Sequence, residues 1–186
     1  MLSKRDLAAA LVGVWRLMHL KIDGFLCFDA TLDGFWKSYW AAVIALPPSI
    51  LLIASHASGV DLESLDTFIL AQAIGYAVSW LAYPLLMVHI SQYLGLWPRY
   101  FTYMVSYNWF QIVQVLAWLP ILILAMFGVP APVMLVVSLA VNAALLFYSW
   151  FIARHGLGVD GITATALVII DFLLSLLINH MADSLT

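Results

Sequence analysis

Apolar residues dominate this chain in five long stretches, which are separated by short breaks rich in Gly, Pro or acidic residues. Each stretch holds about 20 residues or more, which lets a helix cross about 30 Å of hydrocarbon. The stretches cover residues 38–57, 68–93, 100–127, 132–153 and 161–180. Strands are excluded because an open sheet edge in lipid leaves backbone groups without hydrogen-bond partners. The pattern predicts an all-α polytopic membrane protein, with a bundle of five transmembrane helices in residues 38–186.

Composition agrees with this class. Of the 186 residues, 65% are hydrophobic and only 9% are charged, whereas a soluble domain is about a quarter charged. This excludes a soluble globule, a disordered chain and a basic nucleic-acid binder, so we expect no nucleic-acid partner. The first expected partner is the lipid bilayer. The single cysteine, Cys27, excludes an intramolecular disulfide framework.

Residues 1–37 differ from the bundle and are predicted to form a cytoplasmic amphipathic helix and a linker. Between residues 3 and 22, Lys and Arg alternate with apolar residues at spacings of three and four: Leu7, Leu11, Val14, Trp15, Met18 and Ile22. This spacing predicts an amphipathic helix that lies on the inner leaflet of the membrane. The alternative is an ordinary helix packed on the cytoplasmic end of the bundle.

All seven Lys and Arg fall on one side of a five-span arrangement. Five of them precede the first span, Arg99 lies between spans two and three, and Arg154 lies between spans four and five. The other side holds only acids: Asp61, Glu63, Asp66 and Asp183. Because positive loops stay in the cytoplasm, this predicts a cytoplasmic N-terminus and a C-terminus on the outside.

The aromatic residues agree with the five-span arrangement, because amphipathic rings prefer the membrane interface. Eight of them are predicted at the cytoplasmic interface: Trp36, Tyr39, Trp40, Trp97, Tyr100, Tyr103, Tyr148 and Trp150. Trp80 and Trp109 fall deeper in their spans, and we expect them to pack between helices.

Polar side chains recur at overlapping depths in several spans. Asp171 is the one acid inside a span, about 15 Å from the cytoplasmic end at 1.5 Å per residue. The candidate polar midplane site comprises Asp171, Ser175, Asn142, Asn108, Gln111 and Gln114. These residues form either a polar site or pathway with Asp171 as its titratable group, or hydrogen bonds that join helices. Since no Lys or Arg lies at this depth, we expect a protonated Asp171 that donates to Asn142 or Gln111.

Small residues at Ala41, Ala45 and Ser49 recur every four positions in the first span, which predicts a face for close helix packing. The five histidines do not converge, and no nucleophile or phosphate-binding motif is present in the sequence. We therefore expect no metal, no cofactor and no catalytic residue, and we predict that the protein is not an enzyme.

Two short runs carry a resemblance to known proteins. The first consists of Phe28, Asp29, Ala30, Gly34, Phe35, Trp36 and Ser38, and the second is the run YNWFQIVQ in span three. They resemble bacterial five-span inner-membrane proteins, and the layout is similar to the YIP family, whose eukaryotic members interact with small GTPases and shape membranes. The resemblance implies the five-span fold, a cytoplasmic N-terminus and a periplasmic C-terminus. The Asp-Leu-Tyr-Gly-Pro element of the YIP family is absent, so GTPase binding is not implied.

Two functions remain as hypotheses. The first is a non-enzymatic integral membrane protein that acts as a scaffold, an accessory subunit or a membrane organiser, with another membrane protein or a second copy as its partner. The second is transport of a small solute, an ion or a proton through the polar midplane site around Asp171.

Overall fold

The computed structural model describes residues 2–56 and 65–184, and these ranges are helical with no strand. The α-helices are α1 (Lys4–Met18), α2 (Leu32–Ser38), α3 (Trp40–His56), α4 (Leu65–Tyr93), α5 (Tyr100–Met126), α6 (Ala131–Leu157) and α7 (Gly161–Ser184), with 3-10 segments at Ile22–Cys27 and Trp97–Arg99. Asp61 and Glu63, which entered the charge argument, lie outside the described residues, as does the predicted end of the first span at Ala57.

Five helical segments of the described chain are long and apolar enough to cross a membrane. The first segment joins α2 to α3, and the others are α4, α5, α6 and α7. Helices α6 and α7 each run about one turn beyond their predicted ends. The all-α class and the five apolar helices are thus confirmed.

Helix α5 is the centre of the bundle. It packs most closely against α3 and α6, and it also contacts α1, α2 and α4, while α7 packs beside α4 and α6. Eight consecutive residues of α5, from Tyr103 to Phe110, are buried. Trp80 and Trp109 are 8% and 3% exposed, which confirms that they pack between helices. Every other helix therefore contacts either α5 itself or a helix that packs on α5.

Helix α1 packs onto one end of the bundle, where it contacts α5 and the first 3-10 segment. We call this the charged end, because all seven Lys and Arg belong to α1, α2, the last turn of α6 or the segments that join helices there. The buried face of α1 consists of Ala10, Gly13, Val14 and Leu17. Trp15 and Leu11 point outwards and are 63% and 51% exposed. The contacts thus agree with the packed alternative, although α1 keeps an exposed apolar face.

The prediction of one helix through Ile22 was wrong beyond Met18. Leu20 has a φ of 58°, a left-handed conformation that L-residues rarely adopt inside a helix. The chain turns there and continues as the 3-10 segment Ile22–Cys27. The reversal folds this segment back against α1, so that Gly24 lies within contact distance of Gly13.

Helix α2 is joined to α1 by charge and fits closely against the preceding loop. The ammonium of Lys37 lies 2.7 Å from Asp33 and 3.4 Å from Asp6. At Gly34, a Cβ atom would collide with the backbone carbonyl of Asp29. This position needs glycine because the obstacle is backbone, which cannot rotate out of the way as a side chain can.

Candidate functional site

Three tyrosines and an aspartate meet inside the bundle, at a level where α4, α5 and α7 come together. Tyr83 of α4 is 1% exposed, and Tyr103 and Tyr107 of α5 are 2% and 5% exposed. Asp171 of α7 is half-buried beside them. We call these four residues the tyrosine–aspartate cluster.

Hydrogen bonds and ring contacts hold this cluster together. The Tyr107 hydroxyl donates to Oδ1 of Asp171 at 2.7 Å. The hydroxyls of Tyr83 and Tyr103 lie 2.8 Å apart, and the Tyr83 hydroxyl also reaches the carbonyl oxygen of Leu167 at 3.5 Å. Since that carbonyl can only accept, both bonds are satisfied when Tyr103 donates to Tyr83. The rings of Tyr83 and Tyr107 are 4.9 Å apart, so the two hydrogen-bonded pairs form one packed unit.

Helix periodicity explains the convergence. Tyr103 and Tyr107 are four residues apart, which places them on the same face of α5. Helix α7 packs mainly on α4 and α6, so a side chain of α5 must be long to reach Asp171. A phenol has that reach and carries a hydroxyl at its tip.

The predicted partners of Asp171 were wrong. The structure places neither Asn142 nor Gln111 in a hydrogen bond with Asp171; Tyr107 makes that bond, and Asp171 accepts it. Depth along a helix had suggested the two amides, but depth does not say which way a side chain points. Gln111 lies half-buried beside the Tyr107 hydroxyl, so it borders the cluster without contacting the carboxyl group.

The remaining residues of the candidate midplane site are dispersed. Asn108 is fully buried and donates to the Ser38 hydroxyl at 2.8 Å, whereas Gln114 donates to the Ser149 hydroxyl at 3.5 Å. Asn142 is half-buried on α6, and Ser175 is exposed on α7. The structure therefore brings Asp171 near Gln111 through Tyr107 and leaves the other four candidates in separate environments.

The small-residue face of the first span is buried in the chain's own bundle. Ala41 and Ala45 are 0% exposed and Ser49 is 7% exposed, on the helix that packs most closely against α5. The close-packing role predicted for these residues is fulfilled within the molecule. They are consequently not available as a surface for another chain.

Two of the predicted interface aromatics are core residues. Tyr100 and Tyr103 are each 2% exposed, and the Tyr100 hydroxyl donates to the carbonyl oxygen of Pro84 at 3.1 Å. By contrast, Trp36, Trp40 and Trp97 are 63%, 44% and 41% exposed. One sequence signal could have found the cluster: Tyr100, Tyr103 and Tyr107 recur at spacings of three and four, as residues on one buried helix face do.

The chemistry of the cluster follows from its groups. A carboxyl group and three phenols can exchange hydrogen bonds and can hold a polar solute or a proton. Across residues 2–56 and 65–184, no three side chains of the His, Cys, Asp or Glu type come close enough together to hold a metal ion. The cluster is thus a polar centre built from oxygen atoms alone.

Comparisons with known proteins give no relative: no protein-family model, no curated protein and no solved structure matches this chain.

Proposed function

We propose that this chain is an integral protein of the bacterial inner membrane, with its charged end in the cytoplasm and its C-terminus in the periplasm. The Lys and Arg at that end support this orientation, because positive segments stay in the cytoplasm. Exposed tryptophans there support a membrane interface at this level, since indole rings prefer it. Trp15, Trp36, Trp40 and Trp97 are between 41% and 63% exposed. In this orientation the outer face of α1 lies on the inner leaflet. The resemblance to the YIP family implies the same layout.

Reporter fusions test this topology. A reporter active only in the periplasm should work after residue 184, and a reporter active only in the cytoplasm should fail there. Fusions after Gly158, between α6 and α7, form the matched control and should give the opposite pair of results. A cytoplasmic signal from the C-terminal fusion would contradict the orientation.

Within the membrane, we propose a non-enzymatic role as a scaffold, accessory subunit or membrane organiser. One observation carries this proposal: three polar side chains of α5 each bond to a different neighbour. Tyr107 reaches α7, Asn108 reaches α2 and Gln114 reaches α6. Polar groups used in this way fix helices relative to one another, which is what a rigid platform for other membrane components needs.

Helix α6 is the surface we propose for a partner, because none of its residues between 131 and 148 is buried. Affinity purification in a mild detergent should recover a second copy or another membrane protein in fixed proportion. Val136→Arg should abolish this recovery, since Val136 is 66% exposed. Leu26→Arg, at a side chain that is 86% exposed at the charged end, is the matched control. A monomer without partners would contradict the scaffold.

Transport is the second candidate, and the tyrosine–aspartate cluster is the observation that favours it. An acidic side chain inside a membrane span often marks a proton or ion pathway. Purified protein in liposomes should then carry a proton or cation flux that Asp171→Asn abolishes. Tyr107→Phe should reduce the same flux. A flux that survives both substitutions would remove the cluster from any transport mechanism.

A further inference from the structure

A second polar feature lies in the half of the bundle away from the charged end. There α3, α4, α5 and α7 border a cavity of about 700 Å³, and small-molecule sites typically occupy about 300–1,000 Å³. We call it the outer cavity. Its polar lining consists of Ser49, Gln72, Tyr76, Ser79, Asn179 and Asp183. Apolar side chains, among them Phe68 and Val115, complete the walls.

Three hydroxyl groups that line the outer cavity already donate hydrogen bonds to backbone carbonyl oxygens. Tyr76 donates to the carbonyl oxygen of Ala42 at 2.6 Å, and Ser49 donates to that of Ala45 at 2.8 Å. Ser79 donates to the carbonyl oxygen of Tyr76 at 2.7 Å. A hydroxyl has one proton and two lone pairs. With their protons in these bonds, the Ser49 and Ser79 oxygen atoms offer lone pairs to a molecule in the cavity, while the Tyr76 oxygen already interacts with the side chains of Ser49 and Trp80.

The mouth of the outer cavity also offers hydrogen-bond acceptors. The amide nitrogen of Gln72 donates to Oδ1 of Asp183 at 3.3 Å, which leaves the Gln72 carbonyl oxygen as an acceptor. Asn179 adds an amide that can donate or accept. The lining as a whole has more acceptors than donors, so it favours a ligand that donates hydrogen bonds.

The distribution of charge favours a cationic ligand over an anionic one. Among the residues that the structure describes, Asp183 is the one charged residue in the lining, and all seven Lys and Arg are at the charged end of the bundle. An anion in this cavity would lose its hydration without meeting a cation, which is costly. A cation would instead meet acceptor oxygen atoms in the lining, with the carboxylate of Asp183 at the mouth of the cavity.

We infer that the outer cavity is a binding site for a small amphiphilic compound with a primary ammonium group. The ammonium donates to the oxygen atoms of Ser49 and Ser79, and its apolar part lies between Phe68 and Val115. The inference requires neither the scaffold role nor the transport role, because it rests on residues outside the tyrosine–aspartate cluster and outside the exposed face of α6.

Three probes of similar shape test this inference by calorimetric titration of the full chain in detergent. They are 2-phenylethylammonium, its N-trimethyl analogue and 3-phenylpropanoate. We expect saturable binding of the primary ammonium. The trimethyl analogue keeps the charge but cannot donate, so we expect about tenfold weaker binding, the loss of one charge-assisted hydrogen bond. The carboxylate should not bind.

Two tryptophan substitutions on neighbouring residues of α5 locate the site. Val115→Trp fills the cavity from its wall and should remove binding of 2-phenylethylammonium. Leu116→Trp adds the same bulk at a side chain that is 46% exposed and does not line the cavity, so it should leave binding unchanged. If Val115→Trp fails to fold, Ser79→Ala removes one acceptor and should weaken binding by about tenfold.

Equal affinities for the three probes would overturn the inference, and so would saturable binding that Val115→Trp or Ser79→Ala leaves intact. The absence of saturable binding would overturn it as well. A primary ammonium also occurs on the headgroup of lysophosphatidylethanolamine. Competition by this lipid would identify a lipid headgroup as the source of the ammonium, and lack of competition would identify a free amine.

Discussion

The two halves of this bundle are packed very differently. At the charged end, α5 is buried continuously from Tyr103 to Phe110, and α6 is buried at Ser149 and from Phe151 to Ala153. In the outer half, Met126 and Phe127 are 80% and 82% exposed, and α6 has no buried residue before Ser149. The same helices are therefore core elements at one end and surface elements at the other.

The N-terminal segment accounts for much of this difference. Helices α1 and α2 both pack on α5 and add a layer at the charged end that has no counterpart among the described residues of the outer half. The tyrosine–aspartate cluster lies in the packed half, whereas the outer cavity lies in the open half. The comparison teaches that a short segment before the first long helix can decide where a helical bundle is tightly packed and where it leaves open space.

The largest expected effect comes from truncating one phenylalanine in each half. Phe110 is 1% exposed and Phe127 is 82% exposed. Phe110→Ala should lower the free energy of unfolding by about 3–5 kcal/mol, since it leaves a cavity in the core. Phe127→Ala should change it by less than about 0.5 kcal/mol. Unfolding in detergent, followed by circular dichroism, measures both, and equal losses would break the comparison.

Two glycines test how tightly each half is built. Gly34→Ala places a methyl group against the backbone of Asp29 and should cost about 1–3 kcal/mol, as overpacking does. Gly75→Ala brings a Cβ to 3.1 Å from the Cβ of Ala182, near the end of α7, where a small shift relieves the contact. We expect less than about 1 kcal/mol there. Thermal unfolding of the two variants in the same detergent compares them; a larger loss for Gly75→Ala would contradict the packed and open halves.

The hydrogen bond between Tyr107 and Asp171 is the next test. Asp171→Asn keeps a carbonyl oxygen for the Tyr107 hydroxyl, so the fold should tolerate it. Asp171→Leu leaves a buried hydroxyl without an acceptor and should cost about 1–2 kcal/mol. Combining it with Tyr107→Phe should recover part of that loss, because the unsatisfied hydroxyl is gone. A double-mutant cycle on unfolding free energies measures the coupling, and a zero coupling energy would show that the bond does not stabilise the bundle.

The smallest expected effect concerns α1. The hydrogen bond from the backbone N–H of Ser3, above all, together with the Ser3 side chain and Lys37, holds the pKa of Asp6 below its ordinary value. A carboxyl whose pKa is lower in the folded state stabilises the fold above its unfolded pKa, about 4, and this contribution disappears as the pH falls through the folded value. Amide hydrogen exchange in α1, corrected for its intrinsic pH dependence, should therefore accelerate between pH 7 and pH 3.

Asp6→Asn is the control for this pH effect. It keeps an acceptor oxygen but does not titrate, so its exchange in α1 should no longer respond to pH over the same interval. Wild-type exchange that stays constant from pH 7 to pH 3 would show that Asp6 does not stabilise the packing of α1.

The sequence predicted the long helices well because hydrophobic length is a local property. The start of α5 at Tyr100, the start of α7 at Gly161 and the end of α4 at Tyr93 all coincide with the predicted positions. Each of these boundaries lies within two residues of a Gly, Pro or charged residue, which marks the end of an apolar run regardless of what the run packs against.

The contacts of the candidate site were less predictable because they depend on rotation and on distant segments. Asp171 was identified as a polar residue at mid-span, but its partner Tyr107 was not, since a tyrosine in an apolar helix can face lipid, core or interface. The same ambiguity placed Tyr103 at the interface. The turn at Leu20 was also missed, because no Gly or Pro marks it in the sequence.

The packing of α1 on α5 also constrains the order of events during synthesis. The cavity that α1 borders with α5 includes Ala10, Val105 and Trp109, so α1 cannot complete its docking until the ribosome has passed Trp109. At about 5–20 residues per second, the nascent chain waits roughly 5–20 s with Leu17 and its neighbours uncovered. During that interval another surface must cover the segment, and α1 can dock once the first ten residues of α5, up to Trp109, have been made.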